Sequence, residues 1–180
     1  IEHLVLKMHD PKKVRKAISV AFSLLILGFL GIMVLLNFST YRQIQVGDQM
    51  PPIPYYSLNG FQEFTQSDSM NTMLMIFHTD CEHCEYELRL LNKEFDRLSM
   101  RQLMFLTFDE TFDMNRIQRL WPNLFSHGHC NWGISKKDSL KKYLGPFGLP
   151  AFYFFDRSGR LENRIIGEIK FSKLMTYLND

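Results

Sequence analysis

"MLMIFHTDCEHCEYELRLLNKEF", residues Met73 to Phe95, decides how this chain is read. An apolar run ends at Thr79-Asp80, two cysteines follow two residues apart, and a helical pattern begins. By length and composition the run "NTMLMIFHT", 71–79, is a buried strand. Beyond it Cys84, Leu88, Leu91, Phe95 and Leu98 share one helical face. Cys81 therefore stands where a strand ends and a helix starts. Amides at a helix N-terminus lack partners and carry the positive end of the dipole. A thiolate there is stabilised, so its pKa falls and it attacks disulfides at neutral pH. Cys84 lies one turn later, close enough to resolve a mixed disulfide.

Working outward, "QLMFLTFDE", 102–110, reads as a second strand, and "FDMNRIQRLWPNLF", 112–125, starts helical and stops near Pro122. "CNWGI", 130–134, is a short strand and "DSLKKYLG", 138–145, a short helix ending at Gly145. "AFYFFDRSGRLENRIIGEI", 151–169, is two strands joined by a turn at Asp156 to Gly159, and "FSKLMTYLN", 171–179, is a last amphipathic helix. Strand–helix–strand alternation implies parallel pairing, and the terminal hairpin adds antiparallel strands. The expected class is α/β, a mixed central sheet flanked by helices. "STYRQIQVGDQMPPIPYYSLNG", 39–60, reads as a tether and then an extended entry, with the domain boundary at Gly47.

The N-terminal end has a different character. Ala17 to Leu36 contains no charged residue. About 20 apolar residues in a helix span a bilayer core, and a helix bonds all its amides internally. Lys12, Lys13, Arg15 and Lys16 precede the run, and the next charge is Arg42. The basic flank stays cytoplasmic, which places the residues after Tyr41 across the membrane. A cleaved signal peptide would end a shorter run at small residues, and "LLNFSTYRQ", 35–43, offers no such site. The expected organisation is a basic tail over 1–16, a signal anchor over 17–38, a linker over 39–46 and a folded domain over 47–180. Met8 would make a natural start, with seven residues upstream of it. Net charge is only +2, with no basic stripe interleaved with aromatics, so nucleic-acid binding has no support.

Together "FHTDCEHCEYE", "GLPAFYFFDRSG" and the outward-facing anchor resemble the membrane-anchored thioredoxin-like thiol–disulfide oxidoreductases of bacteria, the TlpA/ResA type. The resemblance covers roughly Val46 to Leu178. It implies a thioredoxin-like fold in which Cys81 and Cys84 form a redox-active disulfide, Cys81 attacking and Cys84 resolving. It implies that Pro150 is cis and aligns substrate backbone beside Cys81, and that His83 tunes the pair. It implies no organic cofactor, protein thiols and disulfides as substrates, and electrons from a membrane-embedded reductant or another thioredoxin-like protein. The location implied is the bacterial cytoplasmic membrane, with the C-terminal domain in the periplasm. The chain departs from the pattern in places. Asp80 stands where thioredoxins carry Trp, Met75 replaces the buried acid of the preceding strand, and Phe77 to Asp80 replace a Trp-Ala-Ser-Trp run.

Local charges pull in opposite directions. His83 would stabilise a Cys81 thiolate, while Asp80, Glu82 and Glu85 oppose it. Asp80 is also a natural helix N-cap. The expected couple is intermediate to reducing. An alternative reading is a thiol-based copper or zinc carrier, combining Cys81, His83 and Cys84 with His127, His129 and Cys130, since thiolate and imidazole suit those metals. A further alternative gives the pair a purely structural disulfide. Cys130, the odd cysteine, is expected to be buried in its strand. A peroxiredoxin motif is not matched, since its proline position, seven before Cys81, holds Leu74.

Overall fold

The computed structural model describes residues 11–38, 41–65, 70–98 and 102–179. Met8 and the residues before it lie outside the described residues. Two compact units, 1–40 and 41–180, are distinguished. In the first, helix α1 runs Pro11–Phe38. Its stretch Val14–Met33 has a mean hydropathy of 2.1 and none of it is buried within the protein, so it is long and apolar enough to cross a membrane.

The second unit holds β1 (Ile53–Ser57), β2 (Gly60–Phe64), β3 (Thr72–Phe77), α2 (Glu82–Lys93), β4 (Gln102–Thr107), α3 (Met114–Leu120), α4 (Pro122–Ser126), β5 (Cys130–Ile134), α5 (Lys137–Leu144), β6 (Ala151–Phe155), β7 (Leu161–Ile166) and α6 (Phe171–Asn179). The seven strands form one mixed sheet in the order β2-β1-β5-β4-β3-β6-β7. β3, β4 and β5 are parallel, while β6 runs antiparallel to β3 and β7 antiparallel to β6.

The central strand explains the unbroken apolar run. All six residues of β3 are buried, because both faces of the sheet are covered. Met73, Met75 and Phe77 join one core with Cys84, Leu88 and Leu91 of α2. Leu74 and Ile76 point the other way, into a core with Tyr55, Leu140, Leu144 and Tyr153. Alternation at period two sends one strand's side chains into two cores.

Three boundaries move from their sequence expectation. Ile44 is buried and its amide bonds the Leu144 carbonyl, so residues 41–46 belong to the folded unit rather than to a linker. Residues 53–64 form a hairpin, β1–β2, with Ser57 opposite Gly60 across the Leu58-Asn59 loop. Pro54 is tolerated there because β1 meets β5 only at Tyr56 and Ile134. Pro122 does more than end α3: it opens α4 as its first residue, where a missing N–H costs nothing.

Candidate functional site

Parallel β3 and β4 deliver their following loops to one end of the sheet, and antiparallel β6 starts at that same end. Ile76 pairs with Ala151, so Pro150 sits level with Phe77. The Leu149–Pro150 peptide is cis, as the resemblance implied, and Pro150 is buried. Four residues beyond Phe77 comes Cys81. Topology thus places the cysteine pair and the proline at the same end of the sheet.

Cys81 and Cys84 are joined as a disulfide, with Cα atoms 5.2 Å apart. Cys84 is fully buried, whereas Cys81 is half-buried and is the more exposed cysteine of the pair. The N-cap expected at Asp80 is Cys81 itself. The turn after β3 uses His78 to Asp80, with the Cys81 amide bonding the His78 carbonyl at 3.2 Å. The helix therefore starts at Glu82, and Cys81 Sγ accepts the Cys84 amide at 3.1 Å. A helix-terminal amide aimed at the sulfur is the arrangement that stabilises a thiolate.

Two buried carboxylates, neither foreseen, flank this turn. Asp109 follows β4. It accepts from the Thr79 hydroxyl, from the Thr111 amide at 2.8 Å and from the Thr111 hydroxyl at 2.7 Å. Burial pushes its carboxyl up, but the bonds from Thr79 and Thr111 outweigh that and hold it below the usual Asp range. Through Thr79 it braces the loop two residues before Cys81. Its sequence signal was the hydroxyl spacing Thr107-x-Asp109-x-Thr111.

Glu87 lies on α2 one turn after Cys84 and is fully buried. One oxygen accepts the Ile169 amide at 2.8 Å, and the other finds no hydrogen-bond partner among the described residues. Burial raises its carboxyl above the usual Glu range, the Ile169 amide opposes this, and the charge of Glu168 adds to it. Positions 84, 87, 88 and 91 share a helical face, so the pattern did contain it. Met75 is buried in the same core as Cys84, so the acid here sits on the helix rather than on the strand.

His83 turns its Nδ1 to Glu168 Oε1 at 2.5 Å. The hydrogen bond it donates to Glu168 raises its pKa, and the charges of Glu168 and Glu82 act the same way against a small desolvation effect. Neighbouring Gly167 donates its amide to the Pro150 carbonyl at 2.7 Å.

The other candidate ligands lie elsewhere. Cys130 opens β5 and pairs with Leu103, which pairs with Met73, so it stands at the opposite end of the strands from Phe77. His127 packs edge-on against Phe95, and its ring lies 5.3 Å from that of His129. The two ligand groups weighed for a metal are thus not brought together, and among the described residues no three His, Cys, Asp or Glu are placed to hold an ion. Cys130 is only half-buried at its surface, yet burial pushes its thiol up to about 12.

No protein-family profile matches the sequence, and no curated protein matches it. Solved structures do match. A peroxiredoxin-like protein from Aquifex aeolicus is 14% identical with a TM-score of 0.60, covering 77% of this chain and 88% of its own. A thio-disulfide isomerase from Thermus thermophilus is 13% identical with a TM-score of 0.57, over 76% and 96%. StoA from Bacillus subtilis is 14% identical with a TM-score of 0.51, over 71% and 98%. These likenesses show a thioredoxin-like fold.

Proposed function

We propose that the chain is a thiol–disulfide oxidoreductase, anchored by α1 in a bacterial cytoplasmic membrane with the second unit facing the periplasm, and working in the reducing direction. The observation that carries this reading is the Cys81 sulfur of a half-buried cysteine, accepting the Cys84 amide and bonded to buried Cys84, at the sheet end that also holds Pro150.

The exchange follows from that asymmetry. In the dithiol form the Cys81 thiolate attacks one sulfur of a substrate disulfide. A Cys81–substrate bond forms, the substrate S–S bond breaks, and the departing sulfur takes a proton. Cys84 then loses its proton and attacks Cys81 Sγ, releasing the second substrate thiol and forming the Cys81–Cys84 disulfide. Two electrons have passed to the substrate. Glu87, on the same helix face as Cys84 and with its carboxyl raised above the usual Glu range, is in its carboxylate form the buried base available to take the Cys84 proton. Pro150, at the same end of the sheet as the pair, aligns extended substrate backbone, and His83 tunes the Cys81 thiolate. Recharging requires a dithiol reductant, a membrane-embedded one or another thioredoxin-like protein, because the periplasm is kept oxidising.

The test is the reduction potential of the detergent-solubilised chain in glutathione and thioredoxin buffers, with Cys84→Ser as a trap. A reversible couple below the periplasmic poise, with partners trapped on Cys81, is the expected result. A high potential would overturn the reducing direction, and an unreactive disulfide with no trapped species would overturn the enzyme.

A further inference from the structure

Three consecutive residues after β7 each bond a different part of the site. Gly167 donates to the Pro150 carbonyl at 2.7 Å. Glu168 holds His83 Nδ1 at 2.5 Å. Ile169 donates to Glu87 Oε1 at 2.8 Å. The segment therefore joins the proline loop to two residues of α2, one inside the C-x-x-C motif and one a turn beyond it. Gly167 has φ +91°, with open space around a would-be Cβ. Glycine is required there by the backbone conformation that lets three successive groups reach three targets.

We propose that Glu168 is a positioning residue for the Cys81–Cys84 pair, acting through His83. This deepens the oxidoreductase reading and rests on it for its biological meaning. The imidazole belongs to the motif itself, and its ring nitrogen is committed to a carboxylate carried by another loop. Both side chains are solvent-accessible, 69% and 51% exposed, so the contact is not forced by burial. Among the described residues, the charged groups that bear on His83 are Glu168 across the gap and Glu82 on its own helix. Behind them Glu87 is fixed by Ile169. Glu168 keeps His83 cationic to higher pH, and a cationic His83 favours the neighbouring thiolate. The working pH range of Cys81 is then set by a residue more than eighty positions away in sequence.

The experiment uses the full chain in detergent, reduced to the dithiol. The iodoacetamide reaction of Cys81 is followed by the mass of its peptide from pH 5.5 to 7.5, in wild type, Glu168→Gln, His83→Ala and the double variant. In Glu168→Gln, His83 loses its charge near its ordinary pKa, whereas wild type keeps it. The ratio of wild-type to E168Q rates should rise across this window by about two- to fivefold, the size of an exposed ion-pair effect. In the H83A background the same ratio should stay flat. A purely structural Glu168 would change the rate equally at every pH. A flat ratio, or an equal rise without His83, would overturn the proposal. So would a wild-type His83 that titrates by NMR at or below the ordinary histidine value, a result that needs no variant. Alkylation requires only a free thiol. A missing redox couple would therefore sink the oxidoreductase reading and leave this profile standing, while a flat profile with a working couple would sink Glu168 alone.

Discussion

Removing the Asp109 carboxylate should cost the second unit stability in a pH-dependent way. Asp109 is only 8% exposed and accepts three hydrogen bonds, from Thr79 Oγ1, Thr111 N and Thr111 Oγ1. Asp109→Ala leaves the Thr111 amide without its acceptor and cuts the tie to Thr79. The two hydroxyls can turn to other partners, so the three losses do not add in full. Bonds to a charged group contribute about 1.5–3 kcal/mol each, which gives a total of roughly 2–4 kcal/mol. Asp109→Asn keeps an oxygen for Thr111 and loses mainly the charge, about 1–2 kcal/mol. At about 3 °C or more per kcal/mol, the alanine variant should melt at least roughly 6–12 °C lower. The chain's two tryptophans, Trp121 and Trp132, stack 6.1 Å apart in the second unit, so their fluorescence reports its unfolding without a signal from α1. The sign with pH follows from the depressed carboxyl. As pH falls, the unfolded chain binds this proton first. The stabilisation is therefore complete above the ordinary Asp range and is lost as pH falls through the folded value. The gap between wild type and D109N should narrow from pH 5 toward pH 2. A D109A midpoint within about 2 °C of wild type, or a D109N gap that does not shrink in acid, would refute the reasoning.

Glu87 should show the opposite slope. Its folded carboxyl is raised, so the unfolded chain releases the proton first and the group weakens the fold progressively above the ordinary Glu range. The melting temperature of Glu87→Gln minus that of wild type should become more positive from pH 4.5 upward. The underlying stability difference should grow by at most about 1.4 kcal/mol per pH unit and level off above the folded value, and a constant difference would refute this. Cys130, with its thiol pushed up to about 12, should alkylate at pH 8 roughly a thousandfold more slowly in the folded protein than in urea, measured by mass spectrometry. Reaction at the rate of an ordinary thiol would show that burial does not control it.

The strand before the cysteines and the helix after them were legible because each signal is local. β3 is buried on both faces, so its apolar run is unbroken, and the α2 face at Cys84, Leu88 and Leu91 repeats with the helical period. The β1–β2 hairpin was missed although Asn59-Gly60 is a hairpin signal, because Pro51, Pro52 and Pro54 pointed to an extended entry. A strand that bonds its inner neighbour at one residue pair can hold a proline that a central strand could not. The helix start was misplaced by one residue. Asp80 has the better capping side chain, but three residues are consumed in turning from β3, and the sulfur arrives at the cap position instead. Within the site, Pro150 was placed through the resemblance, while Cys81 and Cys84 were readable because their spacing is short-range. Asp109, Glu87 and Glu168 were not, since each acquires its role from a partner on another loop: Thr79, Ile169 and His83.

The two carboxylates beside the redox turn separate burial from ionisation. Glu87 is fully buried and Asp109 nearly so, and desolvation raises both. Their shifts nonetheless have opposite signs. The difference lies in the number of donors and in the neighbouring charge, His78 lowering Asp109 and Glu168 raising Glu87. Asp109 receives three hydrogen bonds and stays anionic, whereas Glu87 receives one, from Ile169, and leaves its second oxygen without a partner among the described residues. Each donor offsets part of the cost of burying a charge, and three suffice where one does not. An anion already satisfied by three donors is a poor proton acceptor, which suits Asp109 to bracing the loop through Thr79. A carboxyl raised above the usual Glu range binds and releases a proton closer to working pH, and it is this one that shares a helix face with Cys84. Donor count and neighbouring charge, acting on carboxyls that burial raises alike in direction, are therefore the reason to propose Glu87 rather than Asp109 as the acceptor of the resolving thiol's proton.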